Sequence, residues 1–224
     1  MYKTGILIFS IIAEFLYNDI MILNNFIVFE GIDGSGTSTQ LKLLKQNNPD
    51  FEITAEPTST ETGKFLRRML GGEFKVDEKT NAYLFAADRC QHLYGEGGII
   101  ELTKKGKIVV SDRYFFSSMA YQSATCGIEL PALLNSPFPL PQILFYFVIN
   151  PEISLSRVTA RNEKKEIYEK IELQRKIADM YEKVISSYEK DSENNHMKVV
   201  RIDATKSIEE IEHIINETIK NEIK

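Results

Sequence analysis

The chain has 224 residues, of which 43% are hydrophobic and 26% charged, a composition typical of one soluble globular domain. The formal net charge of −5 argues against a nucleic-acid polymer as the main partner, because such proteins usually carry a basic face. A small anionic ligand held by a few local cations remains compatible with this charge. The two cysteines, Cys90 and Cys126, lack metal-ligand spacing, and we expect a reducing, cytoplasmic environment.

The first 20 residues form a separate segment of the sequence. Glu14 interrupts their apolar run, which is too short to cross a bilayer, and no small-residue cleavage site follows it. Met21 begins "MILNNFIVFEG", a natural start for a first strand. We interpret residues 1–20 as a misassigned start or a loosely ordered extension, with a targeting segment as the alternative. Residues 21–224 are predicted to form a single domain without membrane contact.

Five β-rich runs follow in chain order, and most of them precede a helical pattern. They are "NFIVFE" (25–30), "DFEIT" (50–54), "KGKIVVSD" (105–112), "QILFYFVI" (142–149) and "KVVRID" (198–203). Several are nearly continuously apolar, which is typical of strands covered on both faces. Helices are predicted through 40–45, after a cap at Ser59 or Thr60, over about 77–103, and along an apolar stripe from Ile167 to Tyr188. This alternation predicts a three-layer α/β domain with a five-stranded parallel sheet flanked by helices.

A glycine-rich segment, "FEGIDGSGTSTQ" (29–40), lies between the first strand and the first helix. Gly31 and Gly36 match the phosphate-binding pattern G-x-x-x-x-G-K-[ST], and Ser38 stands where the metal-binding hydroxyl belongs. Thr37 replaces the lysine of the pattern, yet backbone N–H groups and a helix N-terminus still favour phosphate. We therefore predict a nucleotide along this loop and Mg²⁺ at Ser38. The loop residues are Gly31, Ile32, Asp33, Gly34, Ser35, Gly36, Thr37, Ser38 and Thr39.

Two further segments follow predicted strands: "AEPTST" (55–60) after the second, and "DRY" (112–114) after the third. Ligands of parallel α/β sheets bind outside the carboxyl ends of the strands. We therefore expect both segments to share one cleft with the glycine-rich loop.

Six segments occur in one order along the chain. They are "FEGIDGSGTSTQ", "EPTSTETGKFLR", "LFAADR" (84–89), "DRYFFSSMAYQ" (112–122), "YEKIELQRKIADMY" (168–181) and "DATKSIEEI" (203–211). The order and the residues of these segments resemble those of thymidylate kinases, which belong to the P-loop nucleoside-monophosphate kinases. The resemblance extends from Met21 to about Lys220. The resemblance implies a P-loop NTPase fold with a small mobile lid and phosphorylation of dTMP to dTDP by ATP with Mg²⁺, in deoxynucleotide biosynthesis. It also implies, commonly, a homodimer.

The same resemblance implies roles for individual residues. Phe85 would stack on thymine, Arg89 would hold the base or phosphate, and Tyr121 would pack where a 2′-hydroxyl would clash. Such roles agree with general chemistry, because guanidinium groups bind phosphate bidentately and aromatic rings offer flat faces to bases. The implied substrate-binding set is Asp33, Phe85, Arg89, Arg113, Ser117, Tyr121 and Gln122, and the implied catalytic set is Asp33, Arg113 and Arg161.

The lid is predicted over about 157–168, where Arg157 and Arg161 would cover the ATP phosphates. Adenine would lie near Ala204 and Thr205. Two family cations are missing, at Thr37 in the loop and at Ala55, where many family members carry arginine. Our hypothesis is that a lid cation, with Arg161 favoured, replaces the loop lysine. The alternatives are a degenerate, non-catalytic nucleotide-binding protein and a kinase for another deoxynucleoside monophosphate.

Overall fold

The computed structural model describes residues 21–159, 167–191 and 196–223. Within these ranges the strands are β1 (Ile22–Glu30), β2 (Glu52–Ala55), β3 (Val109–Asp112), β4 (Leu140–Val148) and β5 (Lys198–Asp203). The helices are α1 (Thr37–Asn47), α2 (Glu61–Leu70), α3 (Glu78–Tyr94), α4 (Ile99–Lys104), α5 (Phe115–Tyr121), α6 (Ser123–Cys126), α7 (Glu129–Asn135), α8 (Pro151–Thr159), α9 (Ile167–Lys190) and α10 (Ile208–Glu222). No helix in these ranges combines the length and apolar character that crossing a membrane requires.

The sheet has five parallel strands in the order β2-β3-β1-β4-β5, which confirms the α/β prediction. Helices α1 and α10 contact each other in one layer, while α3, α5 and α7 contact one another in a second layer that α9 joins through α5. Parallel neighbours need crossover connections, and the intervening helices supply them. Strand β1 lies in the centre of the sheet, so the loop that follows it lies in the middle of the carboxyl edge.

The apolar runs of β1 and β4 supply much of the core. Phe26, Ile27, Val28 and Phe29 are fully buried, as expected for a central strand covered on both faces. The ring centroids of Phe29 and Phe145 lie 5.2 Å apart in an edge-to-face arrangement, one of the geometries that aromatic pairs favour. This packing holds the centre of the sheet rigidly below the glycine-rich loop.

The predicted helix over 77–103 is wrong in one respect, because the structure has two helices there. Helix α3 ends at Tyr94 and α4 begins at Ile99, with a turn between them in which Gly97 has a φ of 68°. The predicted strand 105–112 also starts too early. Gly106, with a φ of 77°, lies in a turn, and its N–H donates to the carbonyl of Thr103. Glycine permits these left-handed conformations, which interrupt regular structure.

Three strand ends meet at one edge. In the parallel register Phe29 pairs with Asp112, which in turn pairs with Ala55. The next residues along the chain are therefore brought side by side: Glu30 and the glycine-rich loop, Glu56, and Arg113. This juxtaposition fulfils the expectation that the loop, "AEPTST" and "DRY" share one cleft.

Candidate active site

The glycine-rich loop turns sharply between β1 and α1. Gly34 and Gly36 have φ values of 84° and 100°, in the left-handed region that favours glycine. The N–H of Ser35 donates to the carbonyl of Ile32 at 3.1 Å and closes the turn. Helix α1 begins immediately after Gly36, so its positive end faces the loop. The loop can therefore attract phosphate through backbone groups, without a lysine side chain.

Ser38 lies in the first turn of α1, beside the end of β3. Its hydroxyl donates to Oδ2 of Asp112 at 3.0 Å. Hydroxyl and carboxylate oxygens are the ligand type that Mg²⁺ prefers. The donor set at this position therefore fits the predicted metal, with Ser38 as the ligand and Asp112 orienting it.

Arg113 connects the loop with the turn after β3. Its Nη2 donates to Oδ1 of Asp33 at 2.6 Å, and its guanidinium carbon lies 5.2 Å from the centre of the Tyr121 ring. Arg113 itself has a φ of 73°, a conformation that costs a bulky residue about 1–3 kcal/mol. Such strain is concentrated at functional sites, where the surrounding structure maintains it.

A cleft of about 440 Å³ opens beside Arg113. The structure places the whole predicted substrate-binding set along its walls: Asp33, Phe85, Arg89, Arg113, Ser117, Tyr121 and Gln122. These side chains come from the loop after β1, from α3 and from the segment after β3. The size is in the range of small-molecule sites, and polar groups converge on an apolar wall.

Arg89 is 1% exposed and is held by side chains of several elements. Its Nη2 donates to Oε2 of Glu56 at 2.6 Å and to Oγ of Ser118 at 2.9 Å, and its Nη1 donates to Asn135. A buried charge needs such partners, because desolvation otherwise costs several kcal/mol, about 3–5 when one partner is removed. The guanidinium group therefore has a fixed orientation before any ligand binds.

Some buried polar atoms of the cleft residues have no hydrogen-bond partner among the residues that the structure describes. These atoms are Nε of Arg89, Oδ1 of Asn81, Oε1 of Gln122 and the hydroxyl oxygen of Tyr121. Buried polar groups are nearly always satisfied, so unsatisfied atoms in a cleft indicate a polar ligand. A nucleobase edge offers donors and acceptors of this kind.

Comparison with known proteins identifies the family. The family model described as thymidylate kinase matches residues 29–215. The chain belongs to the thymidylate kinase family. A Treponema pallidum (strain Nichols) protein, provisionally named a thymidylate kinase, is 41% identical over 91% of this chain and 96% of its own length. The thymidylate kinase of Leptospira borgpetersenii is 36% identical over 83% and 88% of the two chains.

Membership of the thymidylate kinase family makes the protein a phosphotransferase that phosphorylates dTMP with ATP as the donor. The comparisons give no support to a non-catalytic nucleotide-binding protein or to a kinase for another deoxynucleoside monophosphate. The resemblance that the six sequence segments carry is therefore confirmed over most of the chain.

Several residues of this thymidylate kinase site were missed by sequence reasoning. Glu56 binds Arg89 and also lies 3.1 Å from Nδ1 of His92, while Arg67 lines the cleft and donates to the carbonyl of Pro57. Both follow β2, and "EPTSTETGKFLR" contains them. For Glu56, a charged residue directly after a strand was the available signal. Arg67 lies on α2, and the sequence alone does not show that this side chain faces the cleft.

The predicted lid is only partly visible in the described residues. Arg157 lies on α8, where Nη2 donates to the carbonyl of Ala204 at 3.1 Å and Nη1 approaches the carbonyl of Gly34 at 3.4 Å. Arg161, like most of the predicted lid over 157–168 and like residues 1–20, lies outside the described residues. Lys42, one turn after Ser38, lines a second cavity of about 590 Å³ beside Ser38, Arg67 and Asp112.

Glu30 is a further buried group that sequence reasoning did not single out. It is the last residue of β1 and is fully buried. Burial raises the pKa of Glu30 to about 7, against the lowering effects of Arg113 and of hydrogen bonds from Ser117, Tyr181 and Tyr114. This carboxyl group contacts Tyr114 and Ser117, which line the cleft.

Proposed function

We propose that dTMP occupies the 440 Å³ cleft with its phosphate beside Arg113, while Mg-ATP lies along the glycine-rich loop. The observation that carries this proposal is the Arg113–Asp33 pair, which links the loop to the cleft at 2.6 Å. Phosphoryl transfer requires two anionic substrates to meet in line. A guanidinium group at the junction neutralises their repulsion.

The acceptor would be recognised by its base and its sugar. Phe85 would stack on the thymine ring, and the free polar atoms of Arg89 and Gln122 would meet its edge. Tyr121, whose ring already packs against Arg113, would exclude a 2′-hydroxyl. Because the guanidinium group of Arg89 is fixed beforehand, little orientational freedom is lost on binding.

The donor side would rely on backbone groups and the metal. Ser38 would hold Mg²⁺, which supplies charge neutralisation for the donor phosphates when it is bound. Asp33 would orient Arg113 toward the acceptor phosphate. Catalysis of this reaction is largely positioning and electrostatic stabilisation, so no side chain needs to form a covalent intermediate.

The missing loop lysine would be replaced by a cation of the lid, and we favour Arg161. Arg157 supports this placement, because helix α8 brings its guanidinium group to the carbonyl of Gly34. A lid commonly completes such a site only after the substrates bind. Arg161 lies two residues beyond the end of α8 in the sequence, and the family resemblance implies its place over the ATP phosphates.

The activity is tested by following ADP release from Mg-ATP with dTMP, dUMP, dCMP or no acceptor. Turnover that depends on dTMP is the expected result. Equal ADP release with and without dTMP would contradict the proposed acceptor. A version starting at Met21 should match the full chain if residues 1–20 lie outside the site.

The lid cation is tested by two substitutions and their combination. Arg161→Ala should lower kcat about 10²- to 10³-fold, the usual loss when one preorganised donor is removed. Thr37→Lys alone should change kcat little, yet it should restore most of the activity of Arg161→Ala. Lys42→Ala is the matched comparison, because Lys42 lines the second cavity together with Ser38. A large loss in Lys42→Ala with none in Arg161→Ala would assign the missing charge to Lys42 instead.

We further propose a cytoplasmic homodimer, on family resemblance alone. Light scattering coupled to size-exclusion chromatography measures the mass directly. A mass near twice the 25.7 kDa chain is expected, and a monomer across the micromolar range would contradict the dimer.

A further inference from the structure

Glu30 accepts hydrogen bonds from helices α5 and α9 and from the turn between β3 and α5. The N–H groups of Tyr114 and Ser117 donate to Oε1 at 2.8 and 3.1 Å. The hydroxyls of Ser117 and Tyr181 donate to Oε2 at 2.6 and 2.9 Å. The side chain is fully buried and does not line the cleft. Its four donors come from the segment after β3 and from α9.

The same two hydroxyls contact Arg113. Its Nη1 lies 3.1 Å from Oγ of Ser117 and 3.2 Å from the hydroxyl of Tyr181. Guanidinium groups only donate, so each hydroxyl accepts from Arg113 and has its own proton left to donate. The two hydroxyl oxygens also lie 2.7 Å apart, and either could donate to the other, so this contact and Oε2 of Glu30 compete for the two protons. An ionised Glu30 is the stronger acceptor and takes both protons on Oε2. The carboxylate thus fixes the direction in which both hydroxyls present their lone pairs to Arg113.

Glu30 also contacts the backbone next to Arg113. Two hydrogen bonds hold the backbone on either side of this strained residue. On one side, the N–H of Arg113 donates to the carbonyl of Phe29 at 2.9 Å. On the other side, the next N–H, of Tyr114, donates to Glu30. A left-handed conformation of a bulky residue persists only where neighbours determine it. Glu30 supplies one of these determinants.

We propose that Glu30 is a positioning residue for the acceptor: its ionised carboxylate orients Arg113 toward the phosphate through Ser117 and Tyr181. This inference rests on the proposed function, in which Arg113 binds the acceptor phosphate. Glu30 touches neither substrate. Its effect reaches the reaction only through the direction of the guanidinium group.

The inference has a pH signature. Because burial raises the pKa of Glu30 to about 7, the carboxyl group is neutral below that pH and ionised above it. A neutral carboxyl, like an amide, donates a proton from the Oε2 position and competes with Arg113 for the hydroxyl lone pairs. The charged and titratable groups that face Glu30 from neighbouring elements are Arg113 after β3, Tyr181 on α9 and Tyr146 on β4, with Asp33 and Tyr121 beyond Arg113.

The test compares wild-type protein with Glu30→Gln, which keeps the size and the Oε1 acceptor. Above about pH 8, kcat/KM for dTMP should fall about 10- to 100-fold, the effect of losing a hydrogen bond to a charged group. The KM for ATP should stay the same. Since kcat/KM reports the free enzyme, the ratio of wild type to variant should shrink toward one as the pH falls through about 7. Titration of the substrate phosphate cancels in this ratio.

Stability should show the opposite trend. A folded pKa above the ordinary value means that the folded state binds more protons than the unfolded state between about pH 4.5 and 7. Wild-type stability therefore falls as the pH rises through this window, and Glu30→Gln lacks this loss. The melting temperature of the variant, relative to wild type, should rise with pH while its relative activity declines. A merely structural role would still change the relative melting temperature with pH, but it would leave the ratio of kcat/KM for dTMP independent of pH.

Glu101→Gln is the matched control, because it removes one charge from an exposed carboxylate that pairs with Lys105. A pH-independent ratio, or unchanged kcat/KM for dTMP in Glu30→Gln, would overturn the inference. Calorimetric binding of dTMP without ATP separates the two proposals. If the wild-type protein shows no turnover, the proposed function fails. The role of Glu30 is then decided by comparing the affinities of wild type and Glu30→Gln for dTMP at about pH 8. Equal affinities, or no binding by either, would overturn it.

Discussion

The cleft in which we propose that dTMP binds and the glycine-rich loop meet at the same edge of the sheet. They differ in the chemical groups that they present. The cleft is lined by side chains that are fixed by buried partners, and Arg89, at 1% exposed, is held by Glu56, Ser118 and Asn135. The loop offers mainly backbone, with its carboxylate Asp33 more than half exposed. One half of the site is preorganised by side-chain networks, and the other by chain conformation and a helix end.

This difference bears on the lysine that the glycine-rich loop lacks. In the proposed function, the loop would attract phosphate through N–H groups and the start of α1, which do not depend on the side chain at position 37. Recognition of the acceptor would depend on individual guanidinium and aromatic groups. Substitutions should therefore act selectively on one substrate or the other.

The largest effect is expected at Arg113, on the acceptor side. Arg113→Ala removes the guanidinium group at the junction and leaves Asp33 and the buried Glu30 without their cation. We expect kcat/KM for dTMP to fall about 10³-fold or more, with little change in ATP binding. Steady-state kinetics with each substrate varied in turn measures this. Arg68→Ala, which breaks an exposed pair with Glu73, is the control, and equal losses for both substrates would contradict the division.

A smaller effect is expected at Gly34, on the donor side. A Cβ at Gly34 would lie 2.7 Å from the carbonyl oxygen of Ser154 on α8, in addition to the strain of a φ of +84°. Gly34→Ala should raise the KM for ATP about 10-fold and leave the KM for dTMP unchanged, since the clash displaces α8 from the loop.

Gly106→Ala is the matched control for Gly34→Ala. Gly106 has a φ of +77° and open space around its Cβ position, so it carries the backbone strain without the clash. Gly106→Ala should lose about 1–2 kcal/mol of stability from the backbone strain alone, and Gly34→Ala should lose more because of the added clash. If Gly106→Ala raises the KM for ATP as strongly, the effect is one of general destabilisation rather than of the loop.

The smallest effect is expected outside both regions. Ile215 is 1% exposed on α10, and Ile215→Val should lower the free energy of unfolding by about 1 kcal/mol. Denaturant titration measures this loss. Both KM values and kcat should remain those of the wild type. A change in either KM would show that packing in the core affects substrate binding, and would contradict the independence of the two regions from the core.

The sequence predicted the elements and the cleft residues better than their partners. The five strands, the loop and the walls of the cleft follow from apolar runs, glycine spacing and the order of six segments. The break after Tyr94 was missed, because a helical apolar pattern continues past the glycines that end the helix. Glu56 was missed as a site residue, because a charged residue after a strand is more often an ordinary surface group. Arg67 was missed because a charged residue on a helix is usually exposed to solvent.

The amino-acid sequence specifies local features: the apolar periodicity of strands and helices, the turn residues, and the phosphate loop with its Thr37. These features depend on neighbours within a few residues. Which distant groups meet depends on the folded chain, as when Asp33 pairs with Arg113, 80 residues away, and Glu30 with Tyr181, 151 residues away. Such contacts depend on the order of strands in the sheet and on how α9 packs against it. No pattern along the chain encodes a single buried hydrogen bond between elements so far apart.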